Sequence, residues 1–426
     1  MCNMNLIQPR LLKGFRDFGP KESIRRTQII ATIRSIYEKY GFDEIETPVL
    51  EYSEILFGKM GGEAEKLTYN FEDHGGREVC MKYDHTVSFT RYYAHNFSKL
   101  AAPFKRYQFG PVFRADKNQK NRYRQLYQFD ADVIGANTLH SEIELIAMMI
   151  NAYKACGLKD FKVRINDREL VDGLLEAIGI DHGHTYQVIG VIDRVHKIGL
   201  ENTYEEFKKI GVGKAKAEKL IEAIDVHGSQ LSQLQKIHGV NTLRLEKIIS
   251  TLDHLGLAEY VEFDFSIVRG LDYYTGVVLE VTLDEVAGSI GAGGRYDDLC
   301  SLFTRQQFSG FGLSIGIDRL YDGLEAQGYF NETSTKTKVL ISVYGEGTYL
   351  KSLQLQKTLH EHGVAAEVYP DEAKLKKQLK YADRKGIPFV LLAGPQEIAD
   401  GEFVLKDMQS GEQEHVNEKK LIERLA

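Results

Sequence analysis

Cysteine is scarce in this 426-residue chain. Its four copies, Cys2, Cys80, Cys156 and Cys300, lie far apart and form no CxxC pair. Neither a zinc site nor a disulfide framework is suggested, and a reducing cytoplasm fits. No apolar run is long enough to span a bilayer. The N-terminal MCNMNLIQPRLLKGF lacks the apolar core of a signal peptide. The expected location is therefore cytoplasmic, with no membrane partner. Neither a GxxxxGK[ST] loop nor a GxGxxG fingerprint occurs, so any nucleotide is bound in another way. Positive charge is not in excess: 54 Lys and Arg stand against 61 Asp and Glu, a net charge of -7. That excludes a blanket nucleic-acid binder but not a local basic face.

What is present is ordinary for a globular chain long enough for two or three cores: 43% hydrophobic and 27% charged residues. One stretch stands out, PFKRYQFGPVFRADKNQKNRYRQLYQFDADVIG from Pro103 to Gly135. It reads as a strand up to Arg114, a polar loop over Ala115 to Asn121, and a returning strand from Arg122. Side chains alternate faces along a strand. Tyr123, Gln125, Tyr127, Phe129, Ala131 and Val133 share one, mostly apolar, face. Arg122, Arg124, Leu126, Gln128, Asp130 and Asp132 share the other, basic at one end and acidic at the other. A hairpin with one solvated face is the bland reading. A site for phosphates and a small cation is the sharp one.

Other segments read in order. A helix is expected over about Glu22 to Tyr40, with Ile29, Ile30, Ile33, Ile36, Tyr37 and Tyr40 at helical spacing. FDEIETPVLEYSEIL then reads as a strand closed by Pro48. Glu78 to Tyr83 is a strand followed by Asp84-His85-Thr86 and a helix; Asp84 or Thr86 there also suits a helix N-cap. Ser141 to Cys156 is a helix. From Asp160 to about Val261 short helices dominate, and Ile210 to Ala217 reads either as a helix-hairpin-helix loop offering backbone N–H groups to phosphates or, the simpler reading, as a tight turn starting a helix. Strand character returns over Ser266 to Val281. GSIGAGGRYDDL (Gly288 to Leu299) is either a flexible turn or a place where backbone approaches a ligand closely. GFGLSIGIDRL (Gly310 to Leu320) passes from strand to helix. After a polar linker, residues 338–426 alternate strands and helices, with a basic helix carrying Lys374, Lys376, Lys377, Lys380, Arg384 and Lys385.

These segments together resemble the class II aminoacyl-tRNA synthetases. Phe113-Arg114-Ala115-Asp116 is similar to the arginine signature of their motif 2, with aspartate for the usual glutamate. Arg122 to Gln125, Arg269-Gly270-Leu271-Asp272-Tyr273-Tyr274 and Gly293 to Asp297 narrow the resemblance to histidyl-tRNA synthetases. The first helix and strand resemble motif 1, a dimer interface, and Gly310 to Leu320 resembles motif 3. The resemblance implies an α+β fold: an antiparallel-sheet catalytic domain (1–159 and 263–330), a helical insertion (160–262) and a C-terminal α/β anticodon-binding domain (337–426). It implies a cytosolic homodimer that activates L-histidine with ATP and passes it to tRNA(His). Mg2+ is expected with the ATP phosphates, without a dedicated protein metal site.

By the same resemblance, Arg114 and Arg269 sit at the α-phosphate. Arg122 and Arg319 hold the outer phosphates and the adenine side, with Asp116 and Leu126 at the adenine. Asp84, Thr86 and Gln128 take the α-ammonium. Asp132 and Tyr274, with Tyr273 and Tyr296 nearby, meet the imidazole. Gln119, Lys374 and Lys377 contact tRNA. Leu126 stands where relatives carry an aromatic, which weakens the adenine contact. Two rivals stay open. One is the synthetase-like regulatory subunit of histidine biosynthesis, which lacks the C-terminal RNA domain. The other is a tRNA-independent amino-acid ligase.

Overall fold

The computed structural model describes residues 7–58, 67–116, 123–192, 194–226, 231–268, 274–297, 299–330 and 334–426. The chain divides into two units, Met1–Arg16 with Ile29–Tyr329, and Asp17–Gln28 with Phe330–Ala426. The strands of the first unit are β1 (Asp43–Glu44), β2 (Leu50–Tyr52), β3 (Asn70–Glu72), β4 (Glu78–Met81), β5 (Phe104–Phe113), β6 (Gln125–Ile134), β7 (Lys162–Asp167), β8 (Val261–Phe263), β9 (Val277–Leu283), β10 (Val286–Tyr296) and β11 (Gly310–Gly316). Eight of them form one sheet in the order β1-β5-β6-β11-β10-β9-β7-β8. Only the outer pairs, β1 with β5 and β7 with β8, run parallel. β2, β4 and β3 form a small antiparallel sheet of their own.

The long sheet is covered on its apolar face. The helix Pro20–Lys39 presents Ile29, Ile33 and Tyr37, all buried, at four-residue spacing. Tyr37 meets the rings of Tyr107 and Phe129 edge-on at 6.1 and 5.1 Å. The helix His140–Ala155 is buried nearly throughout, which its run of Ile, Leu and Met requires.

The structure corrects several sequence expectations. Phe42 to Leu56 is not one strand: β1 and β2 lie in different sheets, and the helix Ser53–Phe57 follows. Pro48, with no N–H to give a ladder, separates them. The helical insertion does not begin at Asp160. β7 and β8 belong to the long sheet, so the helices start at Arg168. In β7, Val163 and Ile165 are buried and alternate with Lys162 and Arg164, a period of two. The strand expected from Ser266 begins instead at Val277. Before it, the Ser266 backbone N–H and hydroxyl both donate to Asp264 Oδ1, at 2.9 and 2.6 Å, and hold a turn. Arg269 to Tyr273, the first five residues of the expected motif, lie outside the described residues. The Gly288 to Leu299 segment is no flexible turn: most of it is β10. Within the insertion, Gly211 (φ 82°) turns the chain between the helices Val195–Lys209 and Lys214–Ile224, as expected.

In the second unit, β12 (Val339–Ile341), β13 (Ala366–Val368), β14 (Phe389–Leu392), β15 (Phe403–Asp407) and β16 (Gln413–Val416) form a mixed sheet in the order β13-β12-β14-β15-β16. Val339 and Ile341 pack on Leu355, Leu359, Leu421 and Leu425 of two helices. Leu340 and Val390 pack on Ala382 of the helix Leu375–Lys385 on the other face. The helix Pro395–Asp400 was not foreseen.

β10 and β11 approach so closely that a Cβ on Gly293 would lie 2.5 Å from the Gly312 carbonyl oxygen. Gly293→Ala is therefore expected to cost about 1–3 kcal/mol, read as a lowered thermal midpoint. An unchanged midpoint would mean that the strands can separate freely here.

Candidate active site

Cross-strand register assembles the site in rows on the sheet face opposite the two helices. Arg106, Asp132, Gly312 and Gly294 form one row across β5, β6, β11 and β10. Gln108, Asp130, Ser314 and Ala292 form the next, and Gly110, Gln128 and Gly316 the one after. The glycines leave room that side chains use. A Cβ on Gly312 would fall 2.0 Å from Asp132 Oδ1, and one on Gly310 would fall 2.4 Å from the Tyr296 ring. Gly294 in the same way makes room for the Tyr274 ring. The polar face of the hairpin is therefore not solvated. Asp130 and Asp132 are 2% and 1% exposed.

Asp132 is held from two sides. The Tyr296 hydroxyl donates to its Oδ1 at 2.6 Å, and Arg106 forms an ion pair with its Oδ2. Gln128 Nε2 donates to Ser314 Oγ at 2.8 Å, while its Oε1 has no partner among the described residues. Asp84 is buried just before the helix Thr86–Asn96. Its Oδ1 accepts from the Val87 N–H at 3.1 Å, so the capping reading holds. Its Oδ2 has no partner among the described residues. Thr86 is half-buried beside it.

Burial dominates the ionisation of this cluster. It pushes the Asp130 carboxyl up to about 7, against the pull of Arg106. It raises Asp132 and Asp84 as well, again opposed by nearby guanidinium groups. It holds His85 neutral, well below the usual histidine range. Tyr296 is raised by burial and by Asp132, so it remains a donor.

Toward the open end of the hairpin, Arg114 follows β5. Its Nε donates to the Tyr83 carbonyl at 3.2 Å, and its guanidinium lies 4.5 Å over the Tyr83 ring. Leu126 is half-buried on the same face as Gln128. Asp116 is buried, and its carbonyl accepts from Arg124 Nε at 3.1 Å. Arg319, in the helix Ile317–Ala326 that follows β11, donates from Nη1 to the Ser289 carbonyl at 2.7 Å. Asp318 beside it accepts the Tyr127 backbone N–H at 2.7 Å and Arg16 at 2.6 Å. A floor of backbone, an acidic pocket at one end and arginines at the other suit a small cationic molecule joined to phosphate.

Comparison with known proteins decides the family. A family model described as histidyl-tRNA synthetase matches residues 14–320, and one described as anticodon binding domain matches 338–426. The chain is 37% identical to the histidine–tRNA ligase of Cytophaga hutchinsonii, covering 98% of this chain and 99% of that one. It is also 37% identical to that of Helicobacter pylori, covering 96% of each. Among solved structures, the histidyl-tRNA synthetase of Nostoc sp. PCC 7120 matches at 31% identity and a TM-score of 0.86 over 99% of both chains.

The chain belongs to the histidyl-tRNA synthetase family. Of the residues named from sequence, Tyr296 touches Asp132, Tyr274 packs against Gly294 of the same row, Gln128 shares the strand face of Asp132, and Asp84, with Thr86 two residues on, lies near enough to Asp132 to act on its charge. Arg114, Asp116, Leu126 and Arg319 stand toward the other end of the same sheet. Arg122, Gln119, Arg269 and Tyr273 lie outside the described residues. Lys374 and Lys377 are exposed in the second unit, with Lys377 3.6 Å from Asp371.

Sequence reasoning placed Asp130 on the acidic face but assigned it no role, and it missed Arg106 and Lys82. All three are buried. The signal was present: Arg106 and Gln108 alternate with Tyr107 and Phe109 in β5, and a charge within a buried strand needs a partner.

Asp130 gives a stability test with a definite sign. Its folded pKa lies above the unfolded one, near 3.9. The folded state thus binds more protons between pH ~4 and 7, and stability falls as pH rises through that window. Asp130→Asn removes this loss. Its stability relative to the parent, from urea unfolding, is expected to rise from pH ~4 to 7 and level off above. A difference independent of pH would mean that Asp130 ionises normally.

Proposed function

We propose that the protein is a histidine–tRNA ligase. The observation that carries this reading is Asp132, buried with Tyr296 over a glycine floor, on the same strand face as Gln128. The full-length family match supports it. In the first step a histidine carboxylate oxygen attacks the α-phosphorus of ATP. The bond to the bridging oxygen breaks, and pyrophosphate leaves with its electron pair. In the second, a ribose hydroxyl at the 3′ end of tRNA(His) attacks the carbonyl carbon, an ester forms and AMP leaves. The first nucleophile is already ionised at neutral pH, so no side-chain base is needed. Rate comes from positioning and from cations where charge develops.

Arg114 and Arg269 neutralise the α-phosphate. Arg122 and Arg319 hold the outer phosphates and the adenine side, beside Asp116 and Leu126. Mg2+ enters with the ATP phosphates. Asp84, Thr86 and Gln128 receive the ammonium. Asp132 accepts one ring N–H, and Tyr274, with Tyr273 and Tyr296, completes the imidazole contacts. Rejection of amino acids lacking these groups can reach ~10⁴ or more, which removes the need for editing. The C-terminal unit binds the anticodon arm, with Lys374 and Lys377 on its exposed basic helix, and Gln119 meets the acceptor end. The working form is a cytosolic homodimer. The match of residues 338–426 to an anticodon binding domain disfavours the regulatory-subunit rival.

Charging of unfractionated tRNA with labelled histidine tests the reading, with two variants as controls. Arg114→Ala should lower the first-step rate by about 10²-fold or more. Asp132→Asn should raise the KM for histidine far more than that for ATP. No charging by the parent, or equal losses for both substrates in Asp132→Asn, would sink these assignments.

A further inference from the structure

Arg106 is fully buried, near the start of β5. Its guanidinium pairs with Asp132 Oδ2 and lies 4.3 Å over the Phe89 ring. None of its three nitrogens is aimed well enough at an acceptor for a hydrogen bond among the described residues. It therefore acts on Asp132 as a counter-charge rather than as a clamp.

The charges of the pocket can be assigned. Among the described residues its buried carboxylates are Asp84, Asp130 and Asp132 and its buried cations are Lys82 and Arg106, with the half-buried Arg114 guanidinium also acting on Asp84. Lys82, which follows β4, donates from Nζ to the Thr47 carbonyl at 3.2 Å and makes no ion pair among the described residues. Arg106 is in contact with Asp132. Asp84 makes no ion pair among the described residues, and its Oδ2 is unpartnered. His85 and Tyr296 add no charge, because burial keeps both neutral. A buried carboxylate with an unpartnered oxygen and no ion pair favours a cationic partner; one already in contact with a cation accepts a neutral N–H.

The geometry points to Arg106 as a positioning residue: it balances Asp132, so that the pocket takes histidine with an uncharged imidazole and leaves Asp84 for the α-ammonium. The inference rests on the reading above that Asp132 meets the ring. It adds a role for a residue in contact with neither substrate nor phosphate. Without Arg106, Asp132 would select the imidazolium instead.

The test is pyrophosphate exchange by the full-length protein, with the KM for L-histidine measured between pH 5.5 and 7.5. The free ring titrates near ~6.5, inside this range. Titratable groups of the protein also surround Asp132: Asp130 from β6, Asp84 and His85 from the turn before the helix Thr86–Asn96, Lys82 beyond β4 and Tyr296 from β10. Their effect is removed by dividing by the KM for 2-fluorohistidine, whose ring stays neutral throughout. In the parent this ratio should rise about tenfold from pH 7.5 to 5.5, with the KM for ATP unaffected. In Arg106→Met the ratio should become flat or invert, with KM changing more than kcat, and Arg106→Lys should restore the rise. A flat ratio in the parent overturns the proposal, as does a parent-like rise in Arg106→Met. If Arg106→Met fails to fold, the parent and Arg106→Lys still decide, since a flat ratio in either contradicts the assignment. Absence of any histidine-dependent exchange overturns the underlying reading, and the proposal with it.

Discussion

Among the described residues, Asp130, Asp132 and Arg106 are buried on one face of the long sheet, with Asp84 and Lys82 buried beside them, and most of the site follows from keeping these charges there. An unpaired buried charge costs several kcal/mol even after relaxation. The Arg106–Asp132 pair meets that cost across directly facing positions of β5 and β6. The pairing fixes the hairpin register, because a slip of one residue would turn every side chain to the other face. It also explains why β11 and β10 are paved with glycine at these rows. Any Cβ on Gly312 would occupy the space of the Asp132 carboxylate. Room for the acid, and for the tyrosine that donates to it, comes from side chains that are missing.

The two ends of the sheet then have different electrostatic characters. The acidic end is enclosed, with Tyr296 1% exposed. The arginine end lies where the hairpin opens and where the helix after β11 begins. A substrate pair of amino acid and nucleotide fits this polarity, ammonium and ring inward and phosphates outward. Preorganised cations and dipoles in such a site do not have to reorganise as charge develops. Remote parts of the structure serve the same arrangement. Arg16 and the Tyr127 backbone N–H both meet Asp318, which ties the N-terminal stretch to the hairpin and to the helix carrying Arg319.

The local parts of this account were legible in the sequence. Strict alternation from Gln125 to Ile134 and the small-residue strand Gly310–Gly316 were both readable by period alone. The alternation of strands and helices after residue 337 was equally plain. What stayed hidden was non-local. No periodicity says that Arg106 faces Asp132, because that depends on how many loop residues separate β5 from β6. The insertion boundary was misplaced because KVRIND shows only two apolar residues, too few to announce a strand against a helical background. The glycines of β10 looked like a turn because glycine usually is one. Here several of them make room for a group on a neighbouring element.

Selection of histidine for reaction with ATP is what the arrangement of the pocket serves. Pyrophosphate exchange into ATP, run with each of the twenty amino acids and no tRNA, tests it most directly. Exchange with histidine alone is the expected result. Exchange with a different amino acid, or with none, would contradict the account.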